Sequence, residues 1–563
     1  MESDHSTTPA LIITEASLWG DEVPGGSAVA IDTDGRITAV GRSKEVLVLT
    51  APDTEIISAH GGSLWPAFHD AHVHPLGGGL ELTWCNLHDV HDLAGYEEIV
   101  RNYAEQTKPH QWIRGGGWFG DVFPNKEPHR RLLDQWAPSN PVILTSHDNH
   151  CAWVNTAALR LAGINEHTEA PSGSRIGRDA DGTPNGMLYE TAIELVSHLL
   201  PEPTQEELDV AFLKAQQHLH SLGIAGWQDA LVGKALHLSD VTETYRRLSA
   251  SGELTARVTG ALWWRKEGGL DQIEDFLALR DQPFNGRLRF DHVKIMQDGI
   301  CESCTGAMLD PYEGINGEPG APSAPSAIDP EELKEIVSVL DANGFSVHFH
   351  GVGDRAVREC LDAVEAARER NGRTGLRHQI AHVDVVDPLD VPRFKELGVI
   401  ANLQPLWARA DKEVVERKLP LLGARRASMH FPFGALQRAG AALAMGSDWP
   451  VSSADPLWGI YTAVTRTAPP SDPHGVIPSS YQEPMQPEHR LSLEQAIVAY
   501  TTGAAAANGY ADSSGKIAVG MDADLILLDR HVIGIEEIAA TRVVSTWVTG
   551  RLRYSSPEVV SVL

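Results

Sequence analysis

Eight short apolar runs separated by stretches of helical spacing constrain this chain more than any other feature. They are SLWPAFHDAH, GIAGWQDA, ARVTGALWW, DHVKIMQDG, FSVHFHGVG, RHQIAHVDV, GVIANLQP and ALAMGSDWPV. Among them lie TQEELDVAFLKAQQHLHSLG, PEELKEIVSVLDANG and DRAVRECLDAVEAARERNG, the last two ending at a glycine suited to a helix C-cap. Parallel strands need crossover connections, normally helices, so this alternation predicts an α/β architecture. Eight repeats predict a (β/α)8 TIM barrel, with reactive groups at the carboxyl ends of its strands.

The two ends of the chain read differently. ALIITEASLWG and GSAVAIDTDGRITAVG are short strands, with Asp34 and Gly35 as a hairpin signal, and GKIAVGMDADLILLD and RVVSTWVTGRLRY near the other end share that character. Neither set is stable without a partner surface, so the ends are expected to form one small β-sandwich together. From about Leu80 to Pro203 the barrel rhythm breaks, and the stretch is too long for a structureless loop, so an inserted subdomain over the barrel mouth is expected. The resulting division is residues 1–65 and 510–563 for the sandwich, 66–80 for the first barrel strand, 81–204 for the insertion and 205–509 for the rest of the barrel.

Composition narrows the function classes. Acidic residues outnumber basic ones 76 to 46, for a formal charge of -30, which repels nucleic-acid phosphates and anionic membrane surfaces. No stretch reaches about 18 consecutive apolar residues and the first residues lack a basic start, so a cytoplasmic protein is expected. The partner is then a small-molecule substrate, with neither nucleic acid nor membrane, and a homo-oligomer is left open. The five cysteines, an odd count, argue against a disulfide scaffold. Cys301 and Cys304 form a CxxC with no second CxxC beside it, so loop or pocket-wall cysteines are expected rather than a zinc ribbon.

AFHDAHVHP places His72 and His74 at the end of the first proposed strand, on one face of it. Candidate ligands recur at later strand ends: Lys294, His350, His382 and Asp448. Each alone has a bland reading. Lys294 reads equally as a surface lysine, His350 and His382 as core histidines, and Asp448 as a turn residue or helix cap. Together they are harder to dismiss, because metal-compatible residues recur in order at strands one, four, five, six and eight.

That ordered pattern resembles the amidohydrolase superfamily, in its YtcJ-like branch, which includes N-substituted formamide deformylases. VKIMQDG, HFHGVGDRAV, RHQIAHVDVVDPLDVPRFKELGVIANLQP and GSDWPV carry the resemblance over nearly the whole chain. It implies that His72, His74 and Asp448 hold one divalent ion and His350 and His382 a second, with Lys294 carboxylated and bridging them. An ammonium has no lone pair for a metal, whereas a carbamate has two oxygens. Zinc suits these ligands best, although manganese, iron and cobalt also fit them. The implied reaction is hydrolysis of a non-peptide carbon–nitrogen bond in an amide or formamide, by a metal-activated hydroxide with Asp448 as general acid and base. The same site also suits an ester, a cyclic amide or a deamination target, and a metal-stabilised binding or regulatory protein is the alternative of another class.

His348 is a rival ligand two residues before His350, which is preferred because it directly precedes GVGD. His69, Ala67 and CESCTG depart from the family pattern. In the insertion Trp118, His150, Trp153 and Glu190, and beyond it Gln404, are expected to touch substrate, against the alternatives that tryptophans pack and that Asn155 caps a helix.

Overall fold

A computed structural model describes residues 8–557 except 21–24, 89, 124–126, 147–150, 172–173, 236–238, 315–319 and 474–476. The chain divides into two compact units, one of residues 1–75 and 216–563 and the other of residues 76–215.

The first unit contains an eight-stranded, wholly parallel sheet. Its strands are β1 (Phe68–Val73), β2 (Ile224–Val232), β3 (Arg257–Trp263), β4 (Leu288–Met296), β5 (Ser346–Gly351), β6 (Gln379–His382), β7 (Ile400–Leu403) and β8 (Ala442–Met445). They pair in chain order. Such strands are covered on both faces, which accounts for runs such as β2 that are buried at every position. The first and last strands meet at their ends, where Asp448 N–H donates to His72 O at 2.7 Å and His74 N–H to Trp449 O at 2.9 Å. Gly446 sits at this closure. A Cβ there would lie 2.4 Å from His72 N, so only glycine fits. Helices Gln205–Ser221, Pro330–Ala342 and Asp354–Asn371 occupy the three stretches read as helical.

One run read as a single strand is two. SLWPAFHDAH divides at Ala67: Ser63–Pro66 pairs antiparallel with Leu525–Leu528, while Phe68 opens β1. Pro66 has no N–H for a ladder, and the Ala67 N–H turns to Asp524 O at 2.9 Å before Phe68 reaches Gly223 O. The chain passes here from a small double sheet into the barrel.

That double sheet joins the chain ends. Leu11–Thr14, Ala28–Ile31, Ile37–Gly41 and Glu55–Ser58 form one layer, and Ser17–Leu18, Ser63–Pro66, Leu525–Leu528, Val543–Val548 and Arg551–Ser555 the other. Ile13, Val29, Ile31 and Leu64 pack in one cluster with Leu525, Leu527 and Trp547. The Asp34-Gly35 turn links Ala28–Ile31 to Ile37–Gly41, with Gly35 at φ +81°.

A buried polar chain ties this sandwich to the barrel. Arg257 of β3 donates to Asp522 and Asp524, both at 2.6 Å. Ser514 donates to Asp524 at 2.7 Å and lies 2.8 Å from His69 Nε2, so the unusual His69 has a partner that an apolar residue would lack.

The second unit has a six-stranded mixed sheet whose central strands are Ile113–Trp118, Val142–Ser146, Cys151–Val154 and Pro184–Tyr189. Among the described residues no helix is long and apolar enough to cross a membrane.

Substituting Arg257→Met would leave Asp524 buried without its cation, a defect worth about 3–5 kcal/mol. A clearly lower urea midpoint for the first unit is expected, and an unchanged midpoint would contradict a structural role for this junction.

Candidate metal centre

The carboxyl ends of the strands converge on one cavity of about 360 Å³, lined by His72, His74, Lys294, His350, His382 and Asp448. Each arrives from the strand the sequence assigns it. His72 Nε2 and His74 Nε2 lie 3.4 and 3.1 Å from Asp448 Oδ1. The ligand atoms of His72, His382 and Asp448 all lie within 4.8 Å of one another. The His350 and His382 ring centres are 4.5 Å apart.

Asp70 sets the positions of the first pair. Its carboxylate accepts the N–H groups of His72 and Ser447, each at 3.0 Å, and the Ser447 hydroxyl at 2.6 Å. Burial pushes Asp70 up to about 7, opposed by those hydrogen bonds. Asp70 and Ser447 thus fasten the end of β1 to the end of β8.

Strand β5 carries two inward histidines with different partners. His348 Nε2 lies 2.8 Å from His72 Nδ1 and so supports the ring that offers Nε2 to the centre. His350 uses Nδ1 toward Asp298 Oδ1 at 3.2 Å, leaving Nε2 for the cavity. Asp298 also accepts the N–H groups of Val352, Gly353 and Ala307, which fix it on the loop after β4. Asp70 and Asp298 carry positioning roles missed in the sequence reading, though HDAH and QDG display both carboxylates.

His382 has its ring parallel to Trp407, with centres 5.5 Å apart, and its N–H donates to Gln404 Oε1 at 3.0 Å. His382, Val383 and Asp448 have φ of +75°, +52° and +56°. Such conformations cost on the order of 1–3 kcal/mol each in non-glycine residues and cluster where geometry serves a site.

The electrostatics suit a cation. Burial, reinforced by neighbouring basic groups, holds His72, His348 and His382 well below the usual imidazole range, so they remain neutral donors. Burial also pushes the Lys294 ammonium down to about 7, against the opposing pull of Asp448. Among the described residues, the buried His74 Nδ1, His382 Nδ1 and Asp448 Oδ1 have no hydrogen-bond partner. Neutral imidazoles and a carboxylate gathered in this way match the donors of a divalent ion.

The second-tier candidates fall elsewhere. Trp118 fills the core of the second unit, donating its indole N–H to Leu144 O at 2.9 Å, and Trp153 packs there against Phe123 and Trp136. Their apolar bulk is spent on that core, so the expected substrate wall is corrected to a packing role. Gln404 is likewise corrected: it is buried outside the cavity lining, its Oε1 accepting the His382 N–H and its Nε2 donating to Asn402 Oδ1. Glu190 is exposed at the start of a short turn in the second unit, and His150 lies outside the described residues. Asn155 caps Thr156–Leu161 through Ala158 N–H. The second unit has its own cavity of about 210 Å³, lined in part by Glu81, His88 and Arg114, and none of the six centre residues reaches it.

A parallel barrel with clustered imidazoles and a carboxylate at its strand ends is the architecture of a metal-dependent hydrolase. Residues 55–554 match the Amidohydrolase family, and the chain belongs to that family, as an enzyme acting on carbon–nitrogen bonds other than peptide bonds. The chain is 28% identical to the N-substituted formamide deformylase of Arthrobacter pascens over 97% of this chain and 98% of that one. It is also 28% identical to the putative amidohydrolase YtcJ of Bacillus subtilis, over 90% of this chain and 91% of that one. An uncharacterized metal-dependent hydrolase from Pyrococcus furiosus is similar in structure, with a TM-score of 0.69 and 26% identity over 92% of this chain and 99% of that one.

His348→Phe would remove the support behind His72 while retaining an aromatic ring. Divalent-metal affinity is expected to fall roughly 10- to 100-fold in a competition titration against a chromophoric chelator, with circular dichroism unchanged. Unchanged affinity would contradict the supporting role.

Proposed function

We propose that the protein hydrolyses a small amide or N-substituted formamide, with two divalent ions, zinc for preference, held by His72, His74, His350, His382, Asp448 and a carboxylated Lys294. The observation that carries this reading is the gathering of all six side chains in one cavity, where His72 Nε2 and His74 Nε2 converge on Asp448 Oδ1. The family membership and the likeness to a formamide deformylase support the bond type.

When bound, such a metal pair supplies Lewis acidity and lowers the pKa of water at the site. Asp448 accepts the proton as a water oxygen adds to the substrate carbonyl carbon, then delivers it to the departing nitrogen. A C–O bond forms, the C–N bond breaks, and a carboxylic acid and an amine result. For a formamide the acid is formate. Lys294 participates through its neutral amine, which is the form able to add to carbon dioxide, and its depressed pKa keeps that form present near neutrality. His348 and Asp298 orient His72 and His350 through their far ring nitrogens. Leu231, Trp263, Met296 and Val352 offer an apolar wall to the substituent on nitrogen.

The test is release of formate and amine from N-alkyl formamides by zinc-loaded protein. Activity is expected to disappear on chelation and return with metal. Asp448→Asn is expected to lower kcat by about 10²–10⁴-fold, the usual share of a general acid and base. No turnover across formamides, amides, ureas and lactams would overturn the reading.

A further inference from the structure

The loop CESCTG, which follows β4 and departs from the family pattern, places Glu302 in the wall of the same cavity. Cys301 and Cys304 are not disulfide-bonded, and both pack in an apolar cluster with Met308, Tyr312 and Leu421. Their turn, closed by Cys304 N–H to Cys301 O at 3.0 Å, carries Glu302 and Ser303 between them.

Glu302 meets an ammonium there. Lys418 comes from the π-helical turn Val414–Lys418 and is buried, its Nζ 2.9 Å from Glu302 Oε1 and in contact with Asp384 Oδ2. The Phe431 ring lies 5.0 Å from the same Nζ. One cation therefore faces two carboxyl groups. The neighbouring carboxylates hold Lys418 above its usual range, and Lys418 holds Glu302 below its own, so this pair stays charged.

The triad is incomplete as a closed structural unit. Asp384 Oδ1 is buried and accepts no hydrogen bond among the described residues, although its side chain is only 3% exposed. Glu302 is 25% exposed and meets Lys418 through Oε1. A buried acceptor without a partner is costly, so a donor entering the cavity has an acceptor to satisfy. A triad with one lysine and two carboxyl groups never carries net positive charge. It therefore offers a carboxylate no net attraction, while Asp384 Oδ1 and the partly exposed Glu302 offer acceptors to an incoming donor. Trp263 and Leu231 line the same cavity and supply apolar surface to it.

We propose that Glu302, Asp384 and Lys418 form a specificity subsite for a protonated amine at the far end of the substrate's apolar N-substituent. This rests on the proposed amide hydrolysis, because the metal centre fixes the scissile end. The substrate class becomes N-acyl or N-formyl amines bearing a second, cationic nitrogen, and carboxylate-terminated amides are refused.

The test uses zinc-loaded full-length protein and three probes of similar length: N-formylcadaverine, N-hexylformamide and N-formyl-ε-aminocaproate. Calorimetric Kd and the kcat/KM for formate release are measured for each. The cadaverine derivative is expected to bind about tenfold tighter than the hexyl probe, with the caproate weakest, a charge-assisted contact being worth that much. Glu302→Gln is expected to reduce the ratio between the first two about fivefold. Equal affinities, or the caproate binding tightest, would overturn the subsite. The wild-type comparison stands even if the variant fails to fold. The predicted order of Kd with no formate from any probe would sink the formamide reading and leave the subsite supported. Equal kcat/KM for all three would support hydrolysis and overturn the subsite.

Discussion

The attachment of the last barrel strand to the first is the constraint on which the site depends. Asp70 carries it, accepting the N–H groups of His72 and Ser447 and the Ser447 hydroxyl. Without that carboxylate the end of β8 would be held to the end of β1 only by the backbone hydrogen bonds of Asp448 N–H to His72 O and His74 N–H to Trp449 O. The absence of a side chain at Gly446 allows the two backbones to approach closely enough for Asp70 to bridge them. Closure and active-site assembly are therefore one packing problem.

Burial then supplies the chemistry. Removing His72, His348 and His382 from water favours their neutral forms, and the same desolvation draws Lys294 down to about 7. A metal ligand must be deprotonated, so the hydrophobic barrel wall prepares the donors before any ion arrives. Positive φ at His382 and Asp448 aims them where regular strands would not. The surrounding barrel absorbs that strain, consistent with its largely buried strands.

The architecture was legible because a parallel barrel demands eight buried apolar runs separated by crossovers, and the runs are there. HVH, VKIM, HFHG, AHV and GSDW were legible too, because each stands where a strand ends. Other roles depend on contacts distant in sequence. Nothing in HFH distinguishes His350, turned to Asp298, from His348, turned to His72, until β5 is placed beside its neighbours. Trp118 and Trp153 look the same in sequence whether they line a pocket or fill a core, and packing claimed both. The split at Ala67 has no sequence signal, because Pro66 continues an apolar run while ending its hydrogen-bonding. Glu302 was visible only as a departure from the family pattern, since Lys418 and Asp384 come from far along the chain.

The strand-end donors are proposed to converge on divalent metal. Anomalous diffraction at the zinc edge, from crystals of zinc-loaded protein, tests it most directly. Anomalous peaks are expected within coordination distance of His72 Nε2, His74 Nε2 and Asp448 and of His350 and His382, with density for one carbon dioxide on Lys294. Zinc bound only elsewhere, or a cavity without an anomalous peak in a fully loaded active enzyme, would contradict it.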